Sequence, residues 1–392
     1  MSPDPMAGLI LHWIGGLAAA SFYIPYKLIR HWAWETYWLV GGFFAWIIAP
    51  VVLAGLLVPG LWDVLREAPT RSLVLAFIWG MVWGVGGVTY GLTMRYLGIA
   101  LGVAIALGLC TAFGTLLPPL VGGELGQIAS ETSGQVILAG IVICLLGIVV
   151  SGMAGVSKEK ELNDEQKKGS VAEFHFWKGM TVAILCGIMS AAFAYGLAAG
   201  KPIAEIARVS LAERGGSELW QNLPVLIVVT AGGFTTNFFW CLYLNLKNRT
   251  GSEYLKFSRR NVAEIDASEA VTPYNANDVP GATTVAEPAT TKSVPLLANY
   301  VFAAAGGVIW YMQFFFYSMG ETRMGKDYAF SSWTLHMASI IIFGTLWGLA
   351  LKEWKGTSGR TKILVGLGLF VLVSSTVIVG YGNFLKATPV AH

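Results

Sequence analysis

Long apolar runs separated by short charged stretches dominate the chain from end to end. A helix crossing the hydrocarbon core of a bilayer needs roughly 20 mostly apolar residues. Ten segments meet that requirement: 7–28, 36–58, 73–94, 97–120, 134–156, 177–199, 221–245, 296–318, 331–351 and 362–384. Most connections are short and hold the charges. The exception runs from about Lys247 to Pro295, rich in Ser, Thr, Asn, Pro and Glu and without periodicity, and it reads as a disordered tether. The first run starts at Met6 and ends in Tyr26-Lys27 without a small-residue cleavage site, which predicts a retained first helix rather than a signal peptide.

Composition agrees with the pattern. Charged residues make up 12% of the 392-residue chain, about half the usual share for a soluble protein, and hydrophobic residues 55%. With a mean hydropathy of +0.61, too few polar side chains remain to cover a water-soluble surface. The 47 glycines and 15 tryptophans suit close helix packing and interfacial anchoring. A net charge of +3 is too small to argue for nucleic acid. The expectation is an all-α polytopic membrane protein. Eighteen of the 26 lysines and arginines fall in the odd-numbered loops, and the lead survives removal of the six in the tether. The positive-inside rule then places the odd loops and the tether in the cytoplasm and both termini outside.

Ten spans divide into two sets of five. A duplicated odd-numbered unit must enter the membrane with opposite topology the second time, the inverted-repeat plan of secondary transporters. Gly16–Phe22 echoes Gly187–Phe193, Phe113-Gly114-Thr115-Leu116 recurs at 343–346, and Gly-Gly-Val occurs at 86–88 and 306–308. The order 1/6, 4/9, 3/8 is the one duplication requires. The division expected is a first repeat over 1–156, a cytoplasmic linker over 157–176, and a second repeat over 177–392 carrying the tether at about 247–295.

Enzyme signatures are missing. His12, His31, His175 and His336 are followed by Trp, Trp, Phe and Met, so no H-E-x-x-H occurs. The six aspartates lie outside the apolar cores, and there is neither a Walker A motif nor an intramembrane G-x-S-x-G. A protease, prenyltransferase or ATP-driven pump is disfavoured, and no cofactor or metal is implied. Cys110, Cys144, Cys186 and Cys241 lie singly in apolar stretches and read as packing residues.

Polar groups inside spans are costly and therefore candidates for function. In the eighth segment Trp310, Gln313, Phe314 and Tyr317 share one helical face; in the ninth, Trp333 and His336 lie three apart, flanked by Ser332 and Ser339. The third presents Trp83, Tyr90 and Thr93, and the seventh Asn237 beside Thr235 and Thr236. Flat rings with neutral hydrogen-bonding groups suit a polyhydroxylated ligand, whose C–H faces stack and whose hydroxyls need partners. An anionic substrate calls for an intramembrane cation cluster, whereas Lys27, Arg95 and Lys201 lie near helix ends, where long stems snorkel. Each candidate has a structural reading beside the functional one. Trp and Tyr near helix ends form interfacial belts, and glycine spacings such as Gly87-x-x-x-Gly91 make packing faces. Glu35 opens the second helix, where a carboxylate complements the helix dipole. For His12, near the outer end of the first helix, capping and substrate contact both fit.

Five motifs together resemble the L-rhamnose–proton symporter family: F-Y-I-P-Y-K before W-A-W-E-T-Y-W-L-V-G-G (32–42), Y-G-L-T-M-R-Y-L-G (90–98), W-Y-M-Q-F-F-F-Y (310–317), S-W-T-L-H-M (332–337) and L-K-E-W (351–354). The resemblance covers nearly the whole chain. It implies a drug/metabolite-transporter fold of ten helices in two inverted five-helix repeats, importing L-rhamnose with protons across the bacterial inner membrane. The tether is longer than that family leads one to expect.

The expected protein is therefore a proton-coupled importer working by alternating access, with L-rhamnose and protons as partners and the bilayer as its solvent. Tyr90, Asn237, Trp310, Gln313, Trp333 and His336 are the expected sugar contacts. His336, Glu35 and Asp327 are the candidates for carrying the proton, since imidazole titrates near neutrality and a buried carboxylate can be brought there. A same-fold transporter of another cargo and a non-transporting sugar sensor remain as alternatives.

Overall fold

The computed structural model describes residues 4–97, 99–161, 176–255, 258–259, 292–324, 330–352 and 354–387. Ten helices in it are long and apolar enough to cross a membrane, each coinciding with an expected segment. In chain order they are α1 (Pro5–Tyr26) and α2 (Trp34–Leu57), α3 (Thr70–Leu97), α4 (Ile99–Val121), α5 (Thr132–Glu161), α6 (Phe176–Ala199), α7 (Leu223–Asn248), α8 (Leu296–Met324), α9 (Ser331–Ala350) and α10 (Gly359–Ala387).

Two departures from expectation are informative. α8 continues past its expected end at Ser318 to Met324 and takes Glu321 into the bundle. The start of α7 holds that extra turn: Asn222 Nδ2 lies 3.4 Å from both the Ser318 carbonyl and Thr322 Oγ1. The tether also begins later than Lys247. Lys247 and Asn248 belong to α7, and Gly251–Tyr254 forms a short turn packed on the bundle. There the Glu253 carboxylate accepts from the Ala33 backbone N–H at 2.6 Å and Thr36 Oγ1 at 2.9 Å, so a tether residue caps α2. Ser258–Arg259 then pairs antiparallel with Lys292–Ser293. The remainder of the tether, 260–291, and the linker at 162–175 lie outside the described residues.

Hydropathy also passed over a helix too short and polar to span. Lys201–Glu213 buries Ile203, Ala204, Ala207 and Leu211 on one face, as the i, i+4, i+8 spacing dictates. It packs on a second short helix, Leu61–Glu67, whose Leu61 and Val64 are buried. Ser210 Oγ donates to the Pro59 carbonyl at 3.1 Å, closing one end of the bundle.

The pairing of the spans has a pattern. α1 packs on α8 and α9 while α6 packs on α3 and α4; α8 packs on α2 while α3 packs on α7; α5 lies on α4 and α10 on α9. α5 and α10 pair with each other. Exchanging helices 1–5 for 6–10 returns the same set. The closest crossings obey it too. A Cβ on Gly307 would strike the Gly41 backbone, and one on Gly80 or Gly232 would strike the backbone of the facing helix. The Gly-Gly-Val echo therefore misleads by two turns: Gly87 of α3 faces open space, and Gly80 holds the place that Gly307 holds in α8.

Candidate functional site

Where these crossings meet, Trp83 and Trp310, each three residues beyond its crossing glycine, stack with centroids 5.8 Å apart. Trp46 stands edge-on to Trp310 at 5.0 Å. It is carried there by a π-helical turn, Phe44–Ile48, in the middle of α2, a local widening that recurs at functional sites. Thr230 Oγ1 of α7 meets the Trp46 carbonyl at 2.9 Å. Trp38 Nε1 donates to Asn237 Oδ1 at 2.9 Å, while Asn237 Nδ2 and Trp46 Nε1 are buried without a partner among the described residues. The space bounded by Phe22, Tyr26, Trp38, Trp46 and Trp310 is only about 10 Å³, barely one water. This inner cluster is closed.

An unbroken chain of rings leads outward from it. Trp310 meets Phe314 at 4.9 Å, Phe314 meets Phe193 at 4.5 Å, and Phe193 meets Trp333 at 5.8 Å. It ends at two histidines. His12 of α1 and His336 of α9 are fully buried with ring centroids 6.4 Å apart, and Tyr317 lies 5.3 Å from each. The fit is tight, because a Cβ on Gly320 of α8 would strike the His12 ring. Among the described residues none of the four imidazole nitrogens has a hydrogen-bond partner, and neither does Ser332 Oγ, one turn before His336. Buried polar atoms are almost always satisfied, so four orphaned nitrogens on two adjacent rings mark a place for partners from outside the protein.

The expected sugar contacts divide between the clusters. Asn237 and Trp310 sit in the inner one and Trp333 and His336 in the outer one. Gln313 is buried on α8 between them, and among the described residues no protein hydrogen bond holds its amide. The Trp333 indole is pinned by donation to the Cys110 carbonyl at 3.0 Å, which fixes its ring as a wall. Tyr90 is half-buried two turns beyond Trp83, within electrostatic reach of Tyr23 beside the inner cluster and of Cys110, whose carbonyl holds Trp333.

The proton candidates fare differently. His336 is fully buried and faces His12 rather than standing alone. His12 is no cap: Asp4 caps α1 by accepting from the Ala7 N–H at 3.0 Å, and His12 lies two turns further in. Glu35 is buried, yet its carboxylate accepts from Asn248 Nδ2 at 3.0 Å and Thr250 Oγ1 at 2.8 Å, tying α2 to the end of α7. Those bonds favour its structural reading. Asp327 lies outside the described residues. Glu321 was passed over because the apolar run ends at Ser318; it lies one turn beyond Tyr317, on the face that already carries Gln313. Among the described residues no three His, Cys, Asp or Glu side chains converge as metal ligands.

Comparison with known proteins places this arrangement. The profile of the L-rhamnose-proton symport protein family matches residues 1–260 and 283–384, leaving out only part of the tether and the last few residues. The chain is 35% identical over 382 residues to an L-rhamnose-proton symporter of Cronobacter sakazakii, covering 97% of this chain and 99% of that one. It is 34% identical over 383 residues to the same-named protein of Pectobacterium atrosepticum, at 97% and 99% coverage. To that of Klebsiella pneumoniae it is 33% identical over 375 residues, at 96% and 97%.

Proposed function

The chain belongs to the L-rhamnose-proton symport protein family, and from that premise we propose that it carries L-rhamnose with protons across a bacterial inner membrane by alternating access. The observation that carries this reading is the pair of fully buried histidines, their four nitrogens unpartnered among the described residues, at the end of an aromatic path. A 6-deoxyhexose presents C–H faces and a methyl group to the Trp83, Trp310 and Trp46 rings. Its hydroxyls offer partners to Asn237 Nδ2, the Gln313 amide and the imidazoles.

The protein performs no covalent chemistry on its cargo and is a transporter, not an enzyme. Two imidazoles 6.4 Å apart repel by about 2–3 kcal/mol when both are charged, taking an effective dielectric near 20. The pair therefore holds one proton more readily than two. Each inward proton contributes about 1.4 kcal/mol per pH unit and about 2.3 kcal/mol per 100 mV. Because the inner cluster encloses only about 10 Å³, sugar reaches it only when the helices separate on one side.

The exchange symmetry of the pairings supports two inverted five-helix repeats, 1–156 and 177–392, rocking about the Trp83–Trp310 stack. The excess of cations in the odd loops supports termini outside the cell. The test is uptake of radiolabelled L-rhamnose by proteoliposomes under an imposed inward proton gradient. Accumulation above equilibrium that a protonophore abolishes is the expected result. Binding without accumulation would make the protein a sensor, and accumulation of a different solute would make it a same-fold transporter of another cargo.

A further inference from the structure

On the opposite side of α4 from the aromatic path lies a cavity of about 600 Å³ between α4, α5 and α10. Its walls are apolar, with Ala104, Gly108 and Ala112 of α4 facing Leu145 and Val149 of α5 and Leu364 of α10. Val149 and Met153 are about half exposed, so the groove opens sideways where the bilayer lies. From Leu145 to Lys160 it follows α5 for about 22 Å at 1.5 Å per residue, the depth of one leaflet with its interface.

One end is not apolar. Lys160, in the last turn of α5, and Arg360, in the first turn of α10, stand at the mouth, both exposed. Neither has an ion-pair partner among the described residues. The neighbouring charges are occupied elsewhere. The Lys158 ammonium lies 4.9 Å from the Trp354 ring. The Glu161 carboxylate accepts from the Ser358 N–H at 2.7 Å and from Thr361 Oγ1 at 2.6 Å.

We propose that this groove binds an anionic phospholipid, one acyl chain lying between α4, α5 and α10 and the headgroup phosphate held by Lys160 and Arg360. Apolar walls at acyl depth and two unpaired cations at headgroup depth are the two halves of such a ligand, and the chemistry is that of a basic interhelical pocket. A second copy of this chain would need a carboxylate to meet the cations, and among the described residues this face offers none left unbonded.

The test uses the purified full-length protein in detergent, titrated with phosphatidylglycerol or with phosphatidylcholine of the same acyl chains, and read by native mass spectrometry and thermal shift. Phosphatidylglycerol should bind and stabilise selectively. Lys160→Gln and Arg360→Gln should each weaken that selectivity about five-fold while leaving phosphatidylcholine unaffected, and Lys158→Gln should change neither. Gly108→Leu should fill the groove and displace both lipids; if it does not fold, the charge variants still decide. Equal response to the two lipids, or an equal loss from Lys158→Gln, would overturn the proposal. A lipid-independent cross-linked dimer through this face would do so too.

Discussion

At the scale of single residues, His12 and His336 set four buried nitrogens without a hydrogen-bond partner among the described residues on two adjacent rings. If they hold the proton, His336→Gln and His12→Gln should each abolish gradient-driven accumulation yet preserve rhamnose counterflow, which moves no net proton. Uphill accumulation by both variants would shift the role to Glu321, and Glu321→Gln would then show the split. Glu35→Gln should keep accumulation and instead lose stability. Its carboxylate ties α2 to α7 through Asn248 and Thr250, and bonds to a charged group contribute about 1.5–3 kcal/mol. A thermal-shift measurement beside the uptake assay separates the two outcomes. His336 could be read as a candidate from its position in an apolar run. That it faces a second histidine could not, because the two lie 324 residues apart in sequence and meet only where α1 crosses α9.

At the scale of elements, hydropathy finds spans and overlooks what is too short or too polar to be one. Lys201–Glu213 is such an element, and its fully buried Leu211 anchors it on Leu61 and Val64. Leu211→Ala should destabilise the protein by about 2–5 kcal/mol, measured as a lower melting temperature, with uptake retained in the folded fraction. The tether behaves in the opposite way. Its first residues are structural, since Glu253 caps α2, whereas the family profile skips 261–282 altogether. Replacing 262–290 with a short Gly/Ser linker should keep uptake within a few-fold, and complete loss in a well-expressed, folded variant would contradict this. Glu253→Ala should reduce stability by about 1 kcal/mol or more, the usual effect of losing a helix cap. Composition alone could not separate these two parts of one polar stretch.

At the scale of the whole molecule, the crossings at Gly41/Gly307 and Gly80/Gly232 each join one helix of each half and exchange with one another when the halves are exchanged. Gly307→Val and Gly80→Val should therefore act alike, since each new Cβ strikes facing backbone, each lowering stability by about 1–3 kcal/mol through overpacking and slowing uptake and counterflow together. Unequal effects on transport would argue against a rocking motion shared by the halves.

The sequence by itself determined the class, the ten spans and the expected orientation. These follow from local quantities: run length against bilayer thickness, and the tally of cations in loops. It also named most of the polar groups that line the centre, because a polar residue in an apolar run stands out wherever it lies. Only the tertiary structure decided which of them meet. It joined His12 to His336, tied Glu35 to Asn248 and Thr250, extended α8 to include Glu321, and gave Gly80 rather than Gly87 the place in α3 that Gly307 holds in α8. The physical reason is that partition into a membrane depends on each segment alone. A hydrogen bond or a ring contact instead depends on helix azimuth and crossing point, fixed by the packing of segments far apart in the chain.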